Sequence, residues 1–303
     1  MSIAFLLFVT LKATLLAAGG VIGARILPPT WFKARRLIAL HALWLLLVVP
    51  WIHLTPETAG LRLPATLPAS DMGWLILIVW LFGTLLHSLR LIFEWRNLCL
   101  MLRQSQLHGN IAGIEIRLVH DLTSPCVFGA WHTSILMPVA ALEWPARQWT
   151  AALKHELEHV RQSDGLHRIV CSLMRAIFWW NPLVRSLCHR VEIESEFCCD
   201  QAAASSPAIT KRAYGEMLLG LATDLSWRMT PAWSSRHALR ERIERLLQPA
   251  ACGRCNTALR FAAMLVAVAA TLLMACSIRP MTSDALHAEA SLRIDANPFP
   301  GEK

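Results

Sequence analysis

His155 and His159 stand four residues apart in the stretch "HELEH", with Glu156 directly after the first histidine. On an α-helix, positions i and i+4 share a face. Two imidazoles on one face can both reach one zinc ion, and Glu156 then points toward a metal-bound water. The ion lowers that water's pKa and the glutamate takes its proton, which is the chemistry of peptide hydrolysis. The same spacing also serves an ordinary charged helix face, whose acids would pair with Lys154 and Arg161. A third ligand is what separates the two readings. Glu158 is expected to face solvent.

A catalytic zinc takes three protein ligands and a water. The extension HExxHxxGxxH is closed to this chain, because Gln162 and Gly165 occupy the places of its glycine and third histidine. The other route is a glutamate on a following helix, and "VEIESEFCCD" offers Glu192, Glu194 and Glu196. Glu194 faces away from the other two. Glu192 and Glu196 share a face, and Asp200 lies four residues further along it. Ligating histidines usually donate their second N–H to a carboxylate. Glu196 as ligand with Asp200 behind a histidine uses both acids, whereas Glu192 as ligand leaves Asp200 too far along. Tyr214, the single tyrosine, and His189 are weaker candidates for stabilising an oxyanion, packing being the commoner role for either.

These residues need helices to carry them. The spacing predicts one helix over 146–162, an apolar one over 166–180 that stops before Asn181-Pro182, and a third over 182–204 with Pro182 in its first turn. Further helices are expected over 213–225 and 235–247. Ahead of them, Ile114, Ile116 and Leu118 alternate with polar residues, and Pro125, Gly129 and Pro138 punctuate the stretch after Leu118, so the region reads as short strands.

The chain of 303 residues is 55% hydrophobic and 17% charged, too oily for an ordinary soluble domain. Apolar runs at 3–23, 37–54, 72–93 and 261–278 account for this and read as four membrane spans. The loop between the first two spans holds Arg25, Lys33, Arg35 and Arg36, so it is expected in the cytoplasm, with the N-terminus and the second loop outside. Lys12, inside the first span, has no partner nameable from sequence. The net charge of +8 fits anionic lipid better than direct nucleic-acid binding. The apolar helix at 166–180 must not cross the membrane, because ligands on opposite faces of a bilayer cannot share one ion; a re-entrant or interface-resting helix is expected. Nine cysteines, mostly on the cytoplasmic side, read as reduced thiols. Cys252 and Cys255 form a lone CxxC, and the Leu273–Cys276 stretch resembles a lipoprotein signal by coincidence.

"SPCVFGAWHTSILMP", "HELEHVRQSD", "FWWNPLV" and "ESEFCCD" resemble, in order and spacing, the peptidase portion of the BlaR/MecR family of bacterial sensor-transducer metallopeptidases. The resemblance implies a mainly α membrane protein: four transmembrane helices with a cytosolic gluzincin-like α+β zinc peptidase domain inserted between the third and fourth. The expected divisions are 1–93 for the three-helix region, 94–258 for the peptidase domain, 259–278 for the fourth span and 279–303 for a short external tail. It implies zinc held by His155, His159 and Glu196, with Glu156 as base and Asp200 behind a ligand. The family's activity is cleavage of a cytosolic DNA-binding repressor, often with self-cleavage, in an antibiotic response. Implied partners are a repressor-like substrate and the lipid bilayer of the bacterial inner membrane. A separate sensor partner and a homodimer are compatible with this reading. The 25 residues after the fourth span hold no Ser-x-x-Lys, so β-lactam acylation of this chain is not expected. The rival readings are a non-catalytic membrane relay and a site-two-type intramembrane protease. Lys154, Glu158, Arg161 and Gln162 around the motif favour a water-facing site over the latter.

Overall fold

The computed structural model describes residues 3–48, 61–63, 71–120, 122–205, 209–224, 236–247 and 278–280. Eight helices among them run α1 (Ile3–Ile26), α2 (Phe32–Val48), α3 (Asp71–Gln104), α4 (Ala146–Arg161), α5 (Asp164–Ile177), α6 (Pro182–Ala204), α7 (Lys211–Asp224) and α8 (Arg236–Leu247). The strands are β1 (Leu61–Leu63), β2 (Gln106–Ile111), β3 (Ile114–Val119), β4 (Cys126–Phe128), β5 (Ser134–Pro138) and β6 (Ile278–Pro280). Most of the fourth expected span, the Cys252–Cys255 pair and nearly all of the tail lie outside the described residues.

By length and composition α1, over Val9–Ile26, and α3, over Trp74–Gln104, could each cross a bilayer. They differ in surroundings. None of the apolar stretch of α3 is buried, whereas α1 packs on α2 and α6. Gly20 makes that packing close: a Cβ there would sit 2.4 Å from Ala42 Cβ and 2.8 Å from Leu187 Cδ1. Gly20→Ala is therefore expected to destabilise the protein by about 1–3 kcal/mol through overpacking, although alanine is the better helix former by about 1 kcal/mol. Gly220→Ala on α7, where a Cβ meets nothing within 4 Å, is expected to be neutral or stabilising. Thermal unfolding of both variants in the same detergent checks the contrast.

The apolar helix expected at 166–180 ends after one short run. α5 has 14 residues, and Asn181 turns the chain back. Its side chain caps α6 by accepting from the Leu183 and Val184 amides, and Pro182 fills the first turn. The same side chain donates to Thr14 Oγ1 of α1 at 2.8 Å. Trp80 of α3 donates to the Ile177 carbonyl at 2.9 Å, and Gly83 lies against the Trp179 ring. The tip of the α5–α6 hairpin thus sits against the middle of α1 and the first half of α3. One apolar core joins α1 and α2 to α5 and α6 through residues such as Leu16, Leu43, Met174 and Leu187. Lys12 is fully buried beside it.

A second core lies under a four-stranded sheet of order β2-β3-β5-β4, with β3 and β5 parallel and the other pairs antiparallel. Ile116 and Leu118 alternate inward from β3, as their spacing predicts. β2 was not expected. Its residues are mostly exposed polar or glycine, so it carries no alternating apolar signal. β1 and β6 pair in parallel as a separate small sheet.

Candidate metal centre

The site forms where α4 lies across α6. α4 buries Ala151, Ala152, His155, Glu156 and His159, so the face with the histidines is its inner face. The two imidazole centroids are 4.9 Å apart. From α6, Glu196 presents Oε2 at 3.5 Å from His155 Nε2 and Oε1 at 3.5 Å from His159 Nε2. All three residues are buried. A direct hydrogen bond would be shorter, about 2.7–3.2 Å. A tetrahedral ion with ligand bonds of about 2.0–2.1 Å separates its donors by roughly 3.3 Å. The three donors therefore fit a metal ion better than they fit one another.

The rear nitrogens of both rings are engaged, which leaves the Nε2 atoms facing Glu196. Nδ1 of His159 lies 2.7 Å from Asp164 Oδ2. That is hydrogen-bond distance, too short for an ion between them, so Asp164 backs His159 rather than joining it at a metal. Cys199 Sγ lies 3.3 Å from the same nitrogen. Nδ1 of His155 lies 2.9 Å from the Tyr214 hydroxyl, which donates to Asp200 Oδ1 at 2.9 Å. The direct approach of Asp200 to that nitrogen is longer, 3.3 Å. Asp200 stands behind His155 as its spacing implies, with Tyr214 as the bridge.

Cations hold the acids in place. Arg242 of α8 makes two 2.7 Å contacts to Asp200 and one of 3.2 Å to Glu196. Arg168 of α5 approaches Glu196 at 3.3 Å. Burial raises carboxylate pKa values, but Arg242 outweighs it and holds Asp200 down to about 2. Against the same penalty, Arg242 and His159 hold Glu196 well below the usual carboxylate range. Burial lowers His155, yet the nearby Asp200 and Glu196 carboxylates overcome this and hold it up to about 10, so a metal ion must displace a proton from this ring to bind. Asp164 is likewise held low, burial being outweighed by His159 and His167. Burial drives Tyr214 well above its ordinary value, so its proton stays on the bridge.

Glu156 is buried beside His155, and no hydrogen bond or ion pair engages its carboxylate among the described residues. Burial, with the Glu156 charge adding to it, pushes the Cys126 thiol of β4 up to about 12, so that strand lies alongside the base. The Gly129 turn after β4 also packs closely on the start of α5, since a Cβ on Gly165 would meet the Gly129 carbonyl at 2.2 Å.

Of the residues singled out by spacing, His155, Glu156, His159, Glu196, Asp200 and Tyr214 meet here. Tyr214 stands behind His155, on the Nδ1 side, and not on the Nε2 side where an oxyanion would form. His189 is exposed on α6, without a contact to the donors. Glu192 pairs with Arg175 through two 2.7 Å bonds. Glu194 does face elsewhere, but it is itself fully buried, ringed by Arg35, Arg190 and Arg245. Glu158 is not solvent-facing: its side chain is 14% exposed and bound by Arg161 and Gln162. Asp164 and Arg242 carry no spacing signal. Asp164 reaches back because α4 ends at Arg161, Gln162 caps it, and Ser163 takes a left-handed conformation at φ 55, which redirects the chain within one residue.

Asp200→Asn is expected to lower metal affinity about 10–100-fold, the usual cost of removing a ligand's supporting partner. Tyr214→Phe, which removes only the bridge, is expected to cost less. Competition with a chromogenic chelator measures both.

Residues 63–246, more than half of the chain, match the sequence profile of the family described as BlaR1 peptidase M56. The chain is similar to the Regulatory protein BlaR1 of Bacillus licheniformis, 31% identical over 101 residues, which is 32% of this chain and 16% of that protein. It is similar to the Methicillin resistance mecR1 protein of Staphylococcus aureus, 25% identical over 148 residues, which is 44% of this chain and 25% of that protein. The chain matches a quarter or less of the length of these relatives.

Proposed function

Given that the chain belongs to the BlaR1 peptidase M56 family, we propose that it is an integral-membrane zinc endopeptidase that cleaves a cytosolic regulatory protein, a transcriptional repressor in the first instance. The observation that carries this reading is the set of three buried donors, His155, His159 and Glu196, spaced for an ion, with the uncommitted carboxylate of Glu156 beside them. The names of the relatives, a regulatory protein and a resistance protein, support a regulatory target.

A bound zinc supplies an acidified water and polarises the scissile carbonyl. The protein's own residues do the rest. Glu156 takes a proton from the attacking water on a carboxylate oxygen and hands it to the departing amine nitrogen. Asp164, and Asp200 through Tyr214, keep each Nδ1 protonated and each Nε2 available. Burial of all three donors keeps bulk water from competing for them.

The membrane arrangement that we propose has α1, α2 and α3 as spans, the N-terminus and the α2–α3 loop outside, and the peptidase portion in the cytoplasm of a bacterial inner membrane. A fourth span at 259–278 would return the chain outside. The pairing of β1 with β6 supports this, because it puts the α2–α3 loop and the segment after that span on one side. The α5–α6 hairpin would be re-entrant, resting against α1 and α3 without crossing. The division at 93/94 would then separate stretches of sequence rather than cores, since α1, α2, α5 and α6 share one.

The test is a comparison of the proteomes of cells carrying the wild-type chain or Glu156→Gln. A cytosolic regulator is expected to accumulate uncleaved with the variant. Identical processing in both strains would sink the reading.

A further inference from the structure

α2 carries two consecutive arginines in its first turns, and both reach into the catalytic portion. Arg35 Nε lies 3.0 Å from Glu194 of α6, whose side chain is fully buried. Arg36 Nη2 contacts Asp164 Oδ1 at the start of α5 and also reaches the Gln162 carbonyl at 3.4 Å. The contact with Asp164 is shielded, the two side chains being 13% and 5% exposed. Asp164 has two oxygens and divides them. Oδ2 serves His159 Nδ1 at 2.7 Å and the Ser195 hydroxyl at 2.5 Å, and Oδ1 faces Arg36, with His167 Nδ1 at 3.6 Å. Ser195 and His159 bring no permanent charge, so Arg36 is the guanidinium in direct contact with this buried carboxylate, while Arg168 acts on it from further away. Breaking a buried pair from one side leaves an uncompensated charge, and the carboxylate would swing to find water or another cation, taking its hydrogen bond from His159.

We propose that Arg36 is a positioning residue of the metal centre, which acts through Asp164 to fix the His159 imidazole and makes the site depend on how α2 is seated. The inference rests on the reading of His155, His159 and Glu196 as ligands. α2 is not an independent strut. Gly20 of α1 packs closely on Ala42 of α2, so a displacement of the α1–α2 hairpin moves Arg36 relative to α5. The site's other aspartate is held in the same manner from another element, by Arg242 of α8 on Asp200. Each ligand histidine is thus backed by an aspartate, and each aspartate is held by an arginine from outside α4.

The test uses the full chain in detergent, with zinc affinity measured by chelator competition and thermal unfolding of the zinc-free protein recorded beside it. Arg36→Gln is expected to lower zinc affinity about 10–100-fold. Asp164→Asn is expected to match it, and the double variant to be no worse than either single, because both changes break one chain of contacts. A lower unfolding temperature with wild-type zinc affinity would mean a merely structural role and overturns the proposal. Additive losses in the double variant overturn it as well. Should Arg36→Gln fail to fold, Arg36→Lys decides: the lysine side chain is one bond shorter and its ammonium more strongly hydrated, so it holds Asp164 less firmly and affinity is expected to fall about three- to tenfold, and wild-type affinity overturns the proposal. Absence of zinc binding by the wild-type chain would instead remove the functional reading on which it stands.

Discussion

Glu156→Gln is expected to keep zinc at the wild-type level and to lower peptide-bond cleavage by about 10²–10⁴-fold, the usual range for loss of a general base. Its carboxylate contacts neither partner of the ligand histidines, so the amide should leave Asp164, Asp200 and Glu196 undisturbed. Glutamine has nearly the same volume and fits the buried position next to His155. What it lacks is a basic oxygen. A substrate should therefore still bind and be held uncleaved, which makes the variant a trap for the target. The measurement is metal content together with turnover of a captured substrate. Cleavage within a few fold of wild type would remove Glu156 from the mechanism, and loss of metal would make it a ligand instead.

Glu196→Ala is expected to have the largest effect on metal binding. Asp164 and Asp200 only orient ligands, whereas Glu196 faces both Nε2 atoms, and its loss leaves two donors where a catalytic zinc takes three. Affinity should fall by more than the roughly 10–100-fold cost of removing a supporting partner. Stability should fall too. Glu196 is one of the partners of Arg168 and of Arg242, and breaking a largely buried pair costs about 3–5 kcal/mol. Glu196→Gln separates the two effects, because it keeps the volume and an acceptor oxygen while removing the charge. It should fold better than the alanine variant and still bind zinc weakly. Wild-type zinc affinity in either variant would move the third ligand elsewhere, and Glu192 would not inherit the role, since both its oxygens are bound by Arg175.

Hydrophobic periodicity and helix punctuation were enough to outline α4 to α8 to within a few residues, because each boundary is written locally: Pro182 in a first turn, Asn181 as a cap, alternation along β3. β2 escaped, having neither alternation nor a buried face. Spacing also put His155, His159, Glu196 and Asp200 on the faces where they meet, since an interval of four residues is one helical turn whatever surrounds it. The solvent-facing role expected of Glu158 failed for a reason spacing cannot reveal, namely that its neighbours Arg161 and Gln162 fold over it.

The sequence by itself thus determined which side chains could be donors and that two helices must bring them together. Only the tertiary structure decided what holds the donors. Asp164 arrives through the left-handed turn at Ser163, Tyr214 from α7, Arg242 from α8 and Arg36 from α2, and no interval in the chain announces any of them. The physical reason is that a ligand's face is set by the helix it stands on, whereas its supporting partner is set by which helix packs against that face. Here the packing partners include α2, so the candidate metal centre and an apolar helix hairpin are joined by a charged contact.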